Sequence, residues 1–415
     1  MMKLQHLEHE LAKIQVRLSG LKARLELSWK KLINDIEPEE FQAIQQLLQR
    51  GHDQARYVLA HGELPGDEPA VPWELAHGLS ILHLGKAEAL PTSEAELPTR
   101  VLKDGTLLGC RKWELLDLLW SEALIKWIEN LRHHAVFMTT PTVMMIDNEV
   151  SLAIAGDWGT GPFDSHAPAV SVAGQMSRLQ ADFTIHLGDV YYAGTGSEED
   201  VDMAGWPMGK HGAFTLNSNH EMYSGAHGYF AELNARFPVQ QGTSYFALYN
   251  DDWLIVGLDS AYASKPLNLY MDGTLNQQQI DWLKSLPKRG KLLVLSHHQG
   301  FDITGHNPNG LYQQVCDALG RVPDYWYWGH LHNGIVYAEL NGLKARCAGH
   351  GAIPYGVTSE LDGNKRVLFS ETKNAGDPEY PERVLNGFAR VRLSGANIIE
   401  EFIGEDGSLR WSSQG

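Results

Sequence analysis

The chain has 415 residues and a formal net charge of −17 at pH 7, because 51 acidic residues outnumber 34 lysines and arginines. This length predicts two or three domains with ample material for a large core. An acidic chain is not typical of a protein whose main partner is nucleic acid, because nucleic-acid phosphates attract basic surfaces. The composition therefore argues against nucleic-acid binding as the main role.

Cysteine usage and apolar patterning bear on the cellular compartment. Cys110, Cys316 and Cys347 are scattered, so the sequence predicts neither a disulfide framework nor a CxxC metal site. The N-terminus has no apolar segment typical of a secretory signal. The longest apolar window, residues 115–131, is interrupted by four charged residues, which argues against a membrane span. We expect a cytoplasmic protein unless an export signal has been removed.

Residues 1–30 carry a heptad pattern of apolar residues, which are Leu4, Leu7, Leu11, Ile14, Leu18, Leu21 and Leu25. Charged and polar residues fill most of the other positions, as in the seam of a coiled coil. Two interpretations stay open. The segment pairs with a second chain and makes a homo-oligomer, or it packs as one amphipathic helix on its own chain, since short coiled coils are marginal alone.

Two further helices are predicted in the N-terminal third of the chain. One begins after Pro38, with Glu39 and Glu40 in its first turn, and runs towards Gly51. Another covers residues 113–131, where apolar residues follow a helical stripe. The intervening residues 62–108 contain five prolines and predict an irregular connector. We therefore predict that residues 1–138 form a mainly helical N-terminal region.

From residue 142 onwards, short apolar runs alternate with helical segments. The predicted strands are 143–146, 150–155, 183–187, 244–248, 253–258, 292–296, 324–328 and 343–348. Several are wholly apolar, as strands buried on both faces are. The remaining predictions are helices at 175–180 and 276–286, a surface excursion at 354–385 and a closing hairpin of 387–393 with 398–403. Strands that alternate with helices predict an α/β sandwich, here over residues 139–415.

Five short motifs in this second region supply side chains that can ligate metal ions. They are Asp157-Trp158-Gly159, Gly188-Asp189-Val190-Tyr191-Tyr192, Asn219-His220-Glu221, Ser296-His297-His298 and Gly329-His330-Leu331-His332. Four of the five follow a predicted strand, and ligands of open α/β sheets bind outside the carboxyl ends of the strands. These ligands suffice for two metal ions about 3.5–4 Å apart, a device that activates water against a phosphate ester.

The residue types suggest different roles within such a centre. A carboxylate can bridge two cations, which makes Asp189 the natural shared ligand, and the Tyr192 phenolate suits a trivalent ion such as Fe(III). A histidine near a phosphoester can protonate the leaving oxygen, which is the role we predict for His220, with Glu221 orienting its ring. Taken singly, each motif also has a purely structural interpretation: Asp157 as a turn residue, Tyr192 as a packed ring.

The five motifs resemble those of the calcineurin-like metallophosphoesterases, which read D-x-[HG], G-D-x-x-[YN], G-N-H-[DE], a separate His and G-H-x-H. Gly159 in the first motif together with Tyr192 in the second is similar to the purple acid phosphatases, where a tyrosinate replaces a missing histidine on Fe(III). Residues 275–283 also look like that group. The resemblance covers roughly residues 148–405.

The resemblance implies a four-layer α/β/β/α sandwich and a binuclear site. The first metal ion would take Asp157, Asp189, Tyr192 and His332. The second would take Asp189, Asn219, His297 and His330. A bridging hydroxide would be the nucleophile, with His220 beside the leaving group. Ser218 stands where the family has glycine, and His298 extends the histidine motif and is a candidate for substrate contact.

We therefore interpret the sequence as a metal-dependent phosphoester hydrolase that acts on a small-molecule phosphomonoester, with Fe(III) plus Fe, Zn or Mn. A phosphodiesterase or nucleotide pyrophosphatase on the same site is the alternative within hydrolases. Two alternatives from other classes are a coiled-coil scaffold with a vestigial metal site and a redox enzyme that uses the iron. We expect neither nucleic acid nor a membrane as a partner.

Overall fold

The structure, a computed structural model of the chain, describes residues 2–61, 71–72, 75–76, 78–79, 82, 100–108, 117–161, 167–288 and 290–413. Its helices include α1 (Met2–Asp35), α2 (Pro38–His61), α3 (Leu119–Asn130), α4 (Pro168–Leu179), α5 (Gly196–Asp202), α6 (Asn219–Met222), α7 (His227–Arg236), α8 (Gln277–Ser285) and α9 (Gly310–Leu319). Among the described residues, none of the helices combines the length and the apolar character that crossing a membrane requires.

The strands follow in chain order. They are β1 (Arg100–Val101), β2 (Leu107–Leu108), β3 (Thr142–Met145), β4 (Glu149–Ala155), β5 (Phe183–His186), β6 (Gly212–Thr215), β7 (Phe246–Tyr249), β8 (Trp253–Leu258), β9 (Lys291–Ser296), β10 (Tyr325–Trp328), β11 (Gly334–Tyr337), β12 (Lys344–Ala348), β13 (Val367–Ser370), β14 (Gly387–Ser394), β15 (Asn397–Gly404) and β16 (Leu409–Ser412). All eight strands predicted between residues 143 and 348 are present, with ends that differ by at most two residues. The predicted closing hairpin is the antiparallel pair β14–β15.

Two large sheets bring the ends of these strands together. The eight-stranded sheet has the order β13-β11-β12-β10-β9-β8-β7-β3, and the six-stranded sheet has the order β16-β15-β14-β4-β5-β6. Strands β4, β5 and β6 run parallel to one another, as do β8, β9, β10 and β12. The carboxyl ends of the central strands therefore meet along one edge of each sheet.

Side chains that alternate along a strand divide the core into layers. In β9, Leu293 and Leu295 belong to the core between the two sheets, which also contains Ile154 and Ile185. Leu292 and Val294 belong instead to the core beneath α8 and α9. On the far side, Val172 and Met176 of α4 pack with Ala153 and Ala155 of β4. This arrangement of helices, sheet, sheet and helices confirms the predicted α/β sandwich.

The helical N-terminal region packs against this sandwich. Leu18, Leu21 and Leu32 of α1 are buried in one core with Trp120 and Leu124 of α3, and this core continues to the residues that follow β5. The ion pairs Arg17–Glu122 and Arg24–Glu129, at 3.0 and 2.7 Å, join the same two helices. This part of the heptad therefore packs within its own chain. The side chains of residues 1–15 lie outside the described residues, and pairing with a second chain stays a prediction.

Several sequence predictions differ from the structure. The helix predicted at 113–131 begins at Leu119, and residues 113–116 lie outside the described residues. The surface excursion predicted at 354–385 is wrong in part, because it contains β13 and the fully buried Tyr355. The predicted boundary near residue 138 stays a prediction, since one continuous core joins the two regions.

Candidate metal centre

The chemically active side chains lie in loops at the carboxyl ends of the central strands. Asp157 follows β4, Asp189 follows β5, and Asn219 opens α6 shortly after β6. From the eight-stranded sheet, His297 follows β9 directly, and His330 and His332 follow β10. All of these residues except His330 and His332 are buried, at 0–1% exposure. The two sheets thus contribute ligands from opposite sides of one site.

Four of these residues hold a left-handed backbone conformation. The φ angle is 56° at Asp157, 76° at Asp189, 68° at His330 and 45° at His332. Residues with a Cβ rarely adopt this region, and each instance costs roughly 1–2 kcal/mol. Such costs persist where the surrounding structure fixes them, and they concentrate at functional sites. The sharp turns at these strand ends aim the side chains into the common site.

A first group of donors consists of Asp157, Asp189 and His332, whose ligand atoms lie within 4.8 Å of one another. His332 Nε2 is 3.4 Å from Asp157 Oδ1 and 3.8 Å from Asp189 Oδ2. The backbone N–H of His330 donates to both oxygens of Asp157, at 3.1 and 2.9 Å. This bond ties the loop after β10 to the loop after β4, so both sheets hold the group in place.

The phenol in this group is Tyr191, which corrects the sequence prediction. The Tyr191 hydroxyl lies 3.0 Å from Asp189 Oδ2 and 2.6 Å from His332 Nε2. The hydroxyl of the predicted ligand Tyr192 donates instead to Asp117, just before α3. The structure therefore does not bring Tyr192 to the other donors. The signal for Tyr191 in the sequence is only its place beside Tyr192.

A second group of donors consists of His297, His298 and His330. His297 Nδ1 donates to the Leu187 carbonyl at 2.9 Å, which leaves Nε2 of the neutral ring as an acceptor. This Nε2 lies 2.8 Å from Asn219 Oδ1, 3.2 Å from His330 Nδ1 and 3.3 Å from Asp189 Oδ1. Several lone pairs therefore converge on one point, an arrangement that a cation would stabilise.

Asp189 links the two groups. Its Oδ1 faces His297 of the second group, and its Oδ2 faces His332 of the first. This carboxylate therefore presents one oxygen to each donor group. Of the predicted ligands, the structure brings together Asp157, Asp189, Asn219, His297, His330 and His332.

The protonation states also fit bound cations. Burial, together with the charge of Asp189, raises the pKa of Asp157 well above its usual value. Burial acts on Asp189 in the same direction, but neighbouring His220 and His297 hold its pKa well below the usual value. Burial lowers the pKa of His297 and, more strongly, that of His330, so both rings are neutral ligands at pH 7. A bound cation would favour the charged form of both buried carboxyl groups, and with neutral imidazoles beside them they are a donor set that suits divalent or trivalent metal ions.

His220 lies beside the centre, outside both donor groups. Its Nδ1 bonds to the Tyr192 carbonyl at 2.8 Å, and its Nε2 is 3.8 Å from Asp189 Oδ2. The carbonyl therefore fixes the ring so that Nε2 points towards the centre. The prediction that Glu221 orients this ring is wrong, because the Tyr192 carbonyl holds Nδ1 and the Glu221 carboxyl bonds to Ser218.

Ser218 stands between two carboxyl groups, which the sequence did not reveal. Its hydroxyl bonds to both Asp189 Oδ1 and Glu221 Oε2, but it has only one proton to donate. Burial and then the charge of Asp189 raise the pKa of Glu221 to about 8, so Glu221 is protonated at neutral pH. Glu221 then donates to Ser218, and Ser218 donates to Asp189. This chain gives each of the three side chains a partner and orients the shared carboxylate, while Glu221 Oε1 has no partner among the described residues.

His298 is fully buried, with one nitrogen committed and one open to the site. Its Nδ1 lies 2.9 Å from Ser260 Oγ, and Ser260 Oγ also accepts from the His298 backbone N–H. We assign the serine proton to Nδ1, and in this tautomer the ring proton lies on Nε2. This Nε2 has no hydrogen-bond partner among the described residues. A buried N–H without a partner next to a metal site is suited to an anionic ligand.

Two further histidines of the sequence lie elsewhere. His306 is exposed and bonds to Asn364. His350 is buried and stacks on Phe402, and burial lowers its pKa to about 3. Neither belongs to the two donor groups found among the described residues.

Comparison with known proteins agrees with this geometry. Residues 150–334 match the calcineurin-like phosphoesterase family. They contain every residue of both donor groups. This part of the chain is a calcineurin-like phosphoesterase domain, and the protein is a metal-dependent phosphoester hydrolase. The family usually binds two metal ions, in keeping with the two donor groups.

Solved structures with a similar fold share little sequence with the chain. GAP50, described as the anchor in the inner membrane complex of Plasmodium, is 15% identical, with a TM-score of 0.43 over 64% of this chain and 88% of its own. A dimetal phosphatase from Danio rerio is 13% identical, with a TM-score of 0.42 over 62% of this chain and 96% of its own. No curated protein sequence matches the chain.

Proposed function

We propose that the chain is a phosphomonoesterase with a binuclear centre of the purple acid phosphatase type. The observation that carries this proposal is the position of Asp189, with one oxygen facing each donor group. Asp157, Asp189, Tyr191 and His332 would hold the first metal ion. Asp189, Asn219, His297 and His330 would hold the second. When bound, the two ions supply an activated water as nucleophile and offset the charge of the phosphoryl oxygens.

The residues around the centre have roles that do not require metal contact. His220 presents Nε2 towards the centre with Nδ1 held by a carbonyl, so Nε2 is the atom that transfers a proton to the leaving oxygen. His298 presents its unpartnered Nε2–H to the same space, where it can donate to a phosphoryl oxygen. The substrate we propose is a small-molecule phosphomonoester.

The proposal predicts hydrolysis and metal content in one sample. Purified protein is expected to contain two metal ions per chain and to release phosphate from both aryl and alkyl monoesters. Inductively coupled plasma mass spectrometry and phosphate release from a panel of mono- and diesters are the measurements. Faster turnover of diesters would favour a phosphodiesterase. Full metal occupancy without hydrolysis of any phosphoester would contradict the proposal. It would favour the alternative of a coiled-coil scaffold with a vestigial metal site.

The tyrosine assignment makes a spectroscopic prediction. If the first ion is Fe(III), a tyrosinate ligand gives a visible charge-transfer band and a coloured protein. Because the Tyr191 hydroxyl lies at Asp189 and His332, Tyr191→Phe is expected to abolish the band. Tyr192→Phe is the matched control and is expected to keep it, since this hydroxyl bonds to Asp117.

The reverse pattern would restore Tyr192 as the ligand, as its spacing from Asp189 in the second motif predicts. A colourless, active protein with two Zn or two Mn ions would contradict the iron assignment and leave the binuclear site intact.

A further inference from the structure

Helix α3, which precedes the phosphoesterase domain in the chain, lies directly against the metal centre. Trp120 is buried, at 1% exposure. Its ring meets three aromatic rings edge-on, with centroid distances of 5.1 Å to Tyr192, 5.8 Å to His220 and 6.4 Å to Tyr191. Trp120 of the helical region therefore contacts three residues at the centre. They are His220, the candidate acid, Tyr191, the candidate phenol ligand, and Tyr192.

A second contact, from Asp117 just before this helix, acts through hydrogen bonds. Asp117 accepts from the Tyr192 hydroxyl, and the Tyr192 carbonyl accepts from His220 Nδ1. A series of bonds thus runs from Asp117 through both ends of Tyr192 to the His220 ring. Among the described residues, the rings of Tyr191 and Tyr223 also contact His220, with centroid distances of 4.2 and 5.0 Å. The orientation of His220 therefore depends on Tyr192, which Asp117 and Trp120 hold in place.

Helix α3 is itself fixed by α1. Arg24 donates to both oxygens of Glu129, at 2.9 and 2.7 Å, and the Ser28 hydroxyl lies 3.1 Å from the same carboxylate. Leu18 and Leu21 of α1 complete the core beneath α3. Helix α1 is thus tied to α3 by buried apolar contacts and by a bidentate ion pair.

We propose that the helical region completes the active site, with Asp117 and Trp120 as positioning residues for His220 and Tyr191. This inference rests on the proposed function in one respect, the role of His220 as the acid. It adds that the phosphoesterase domain depends on residues outside it for an oriented acid, because neither Asp117 nor Trp120 lies within residues 150–334.

The first test compares two buried tryptophans of one helix. Trp127 is as buried as Trp120, but its Nε1 donates to the Pro266 carbonyl, at 2.9 Å. Trp120→Ala is expected to lower kcat about tenfold on alkyl phosphates, within the roughly 10²–10⁴-fold that a general acid contributes, and much less on activated aryl phosphates. KM and metal content should stay close to those of the wild type. Trp127→Ala should lower the melting temperature about as much as Trp120→Ala does. It should not lower kcat more on alkyl phosphates than on aryl phosphates.

Conservative and double substitutions separate positioning from a general loss of structure. Trp120→Phe keeps an aromatic edge and is expected to recover most of the rate on alkyl phosphates. Asp117→Asn keeps an acceptor for Tyr192, so it should be milder than Asp117→Ala. If Trp120 acts through His220, adding Trp120→Ala to His220→Ala should cause little further loss. An additive loss, or equal slowing of aryl and alkyl esters by Trp120→Ala, would overturn the inference.

A second readout needs neither metal nor activity. In metal-free protein labelled with 5-fluorotryptophan, Trp120→Phe and Trp127→Phe assign the two resonances. His220→Ala is expected to shift the Trp120 resonance through the lost ring and to leave the Trp127 resonance in place. An unmoved Trp120 resonance would overturn the contact itself. This readout also distinguishes two failures: if the wild type hydrolyses no phosphoester, the proposed function fails, while the fluorine shift still decides whether α3 contacts His220.

Discussion

Asp189→Asn is expected to remove metal and hydrolytic activity together. The carboxylate has one oxygen towards His297 and the other towards His332, 3.3 and 3.8 Å from their Nε2 atoms. An asparagine has no charge and only one oxygen, so it cannot serve both donor groups. We expect metal affinity to fall by more than the roughly 10–100-fold that loss of an outer-shell partner typically costs.

Metal content after gel filtration and the change in melting temperature on adding Zn²⁺ measure this effect. Wild-type protein should gain stability with added metal, since a ligand that binds only the folded state stabilises it by mass action. The Asp189→Asn protein should show a much smaller rise in melting temperature on adding Zn²⁺. Asp259→Asn is the control, because Asp259 is equally buried but bonds to Asn217 and to backbone N–H groups. An Asp189→Asn protein with two tightly bound ions would contradict the bridging role.

The fold of the catalytic region was predictable because its signals are local. Apolar runs such as residues 292–295 predict strands buried on both faces, and the structure places them in the middle of β9. Strand order in α/β proteins then puts the following loops on one edge, which is why Asp157, Asp189 and His297 meet. The short β6 was missed because its four residues begin with glycine and include a single large apolar side chain, Phe214.

The details of the site were less predictable because they depend on one-residue offsets and distant contacts. Tyr191 and Tyr192 are neighbours of the same type, and the sequence pattern does not distinguish which hydroxyl reaches Asp189. The contacts of Asp117 and Trp120 with the site join residues about seventy or more positions apart, as in the Asp117–Tyr192 bond. The helical pattern of apolar residues predicts that Trp120 is buried, but it does not identify the rings against which Trp120 packs.

Ser218 illustrates a departure that acquires meaning only in the structure. In the sequence it replaces a family glycine within a short loop. In the structure it bonds to the shared ligand Asp189 and to Glu221, whose carboxyl is protonated at neutral pH. The side chain that glycine lacks therefore adds a hydrogen bond to the carboxylate at the centre of the proposed site.

His220→Ala is expected to keep both metal ions and to lose rate selectively. His220 lies outside both donor groups, and its Nε2 is 3.8 Å from Asp189 Oδ2. Metal content should therefore match the wild type. Loss of a general acid typically lowers the rate about 10²–10⁴-fold. The loss should be largest for alkyl phosphates, whose leaving oxygen needs a proton, and small for activated aryl phosphates.

The slope of log kcat against the pKa of the leaving group measures this selectivity. Wild-type protein should show a shallow slope, because protonation compensates for a poor leaving group, and His220→Ala should show a steep one. His298→Ala is the informative comparison. Its Nε2–H is assigned to a phosphoryl oxygen, so its loss should slow all esters by a similar factor and leave the slope unchanged. If His220→Ala instead strips a metal ion, His220 is a ligand and not the acid. If the steep slope appears only in His298→Ala, the two histidines exchange roles.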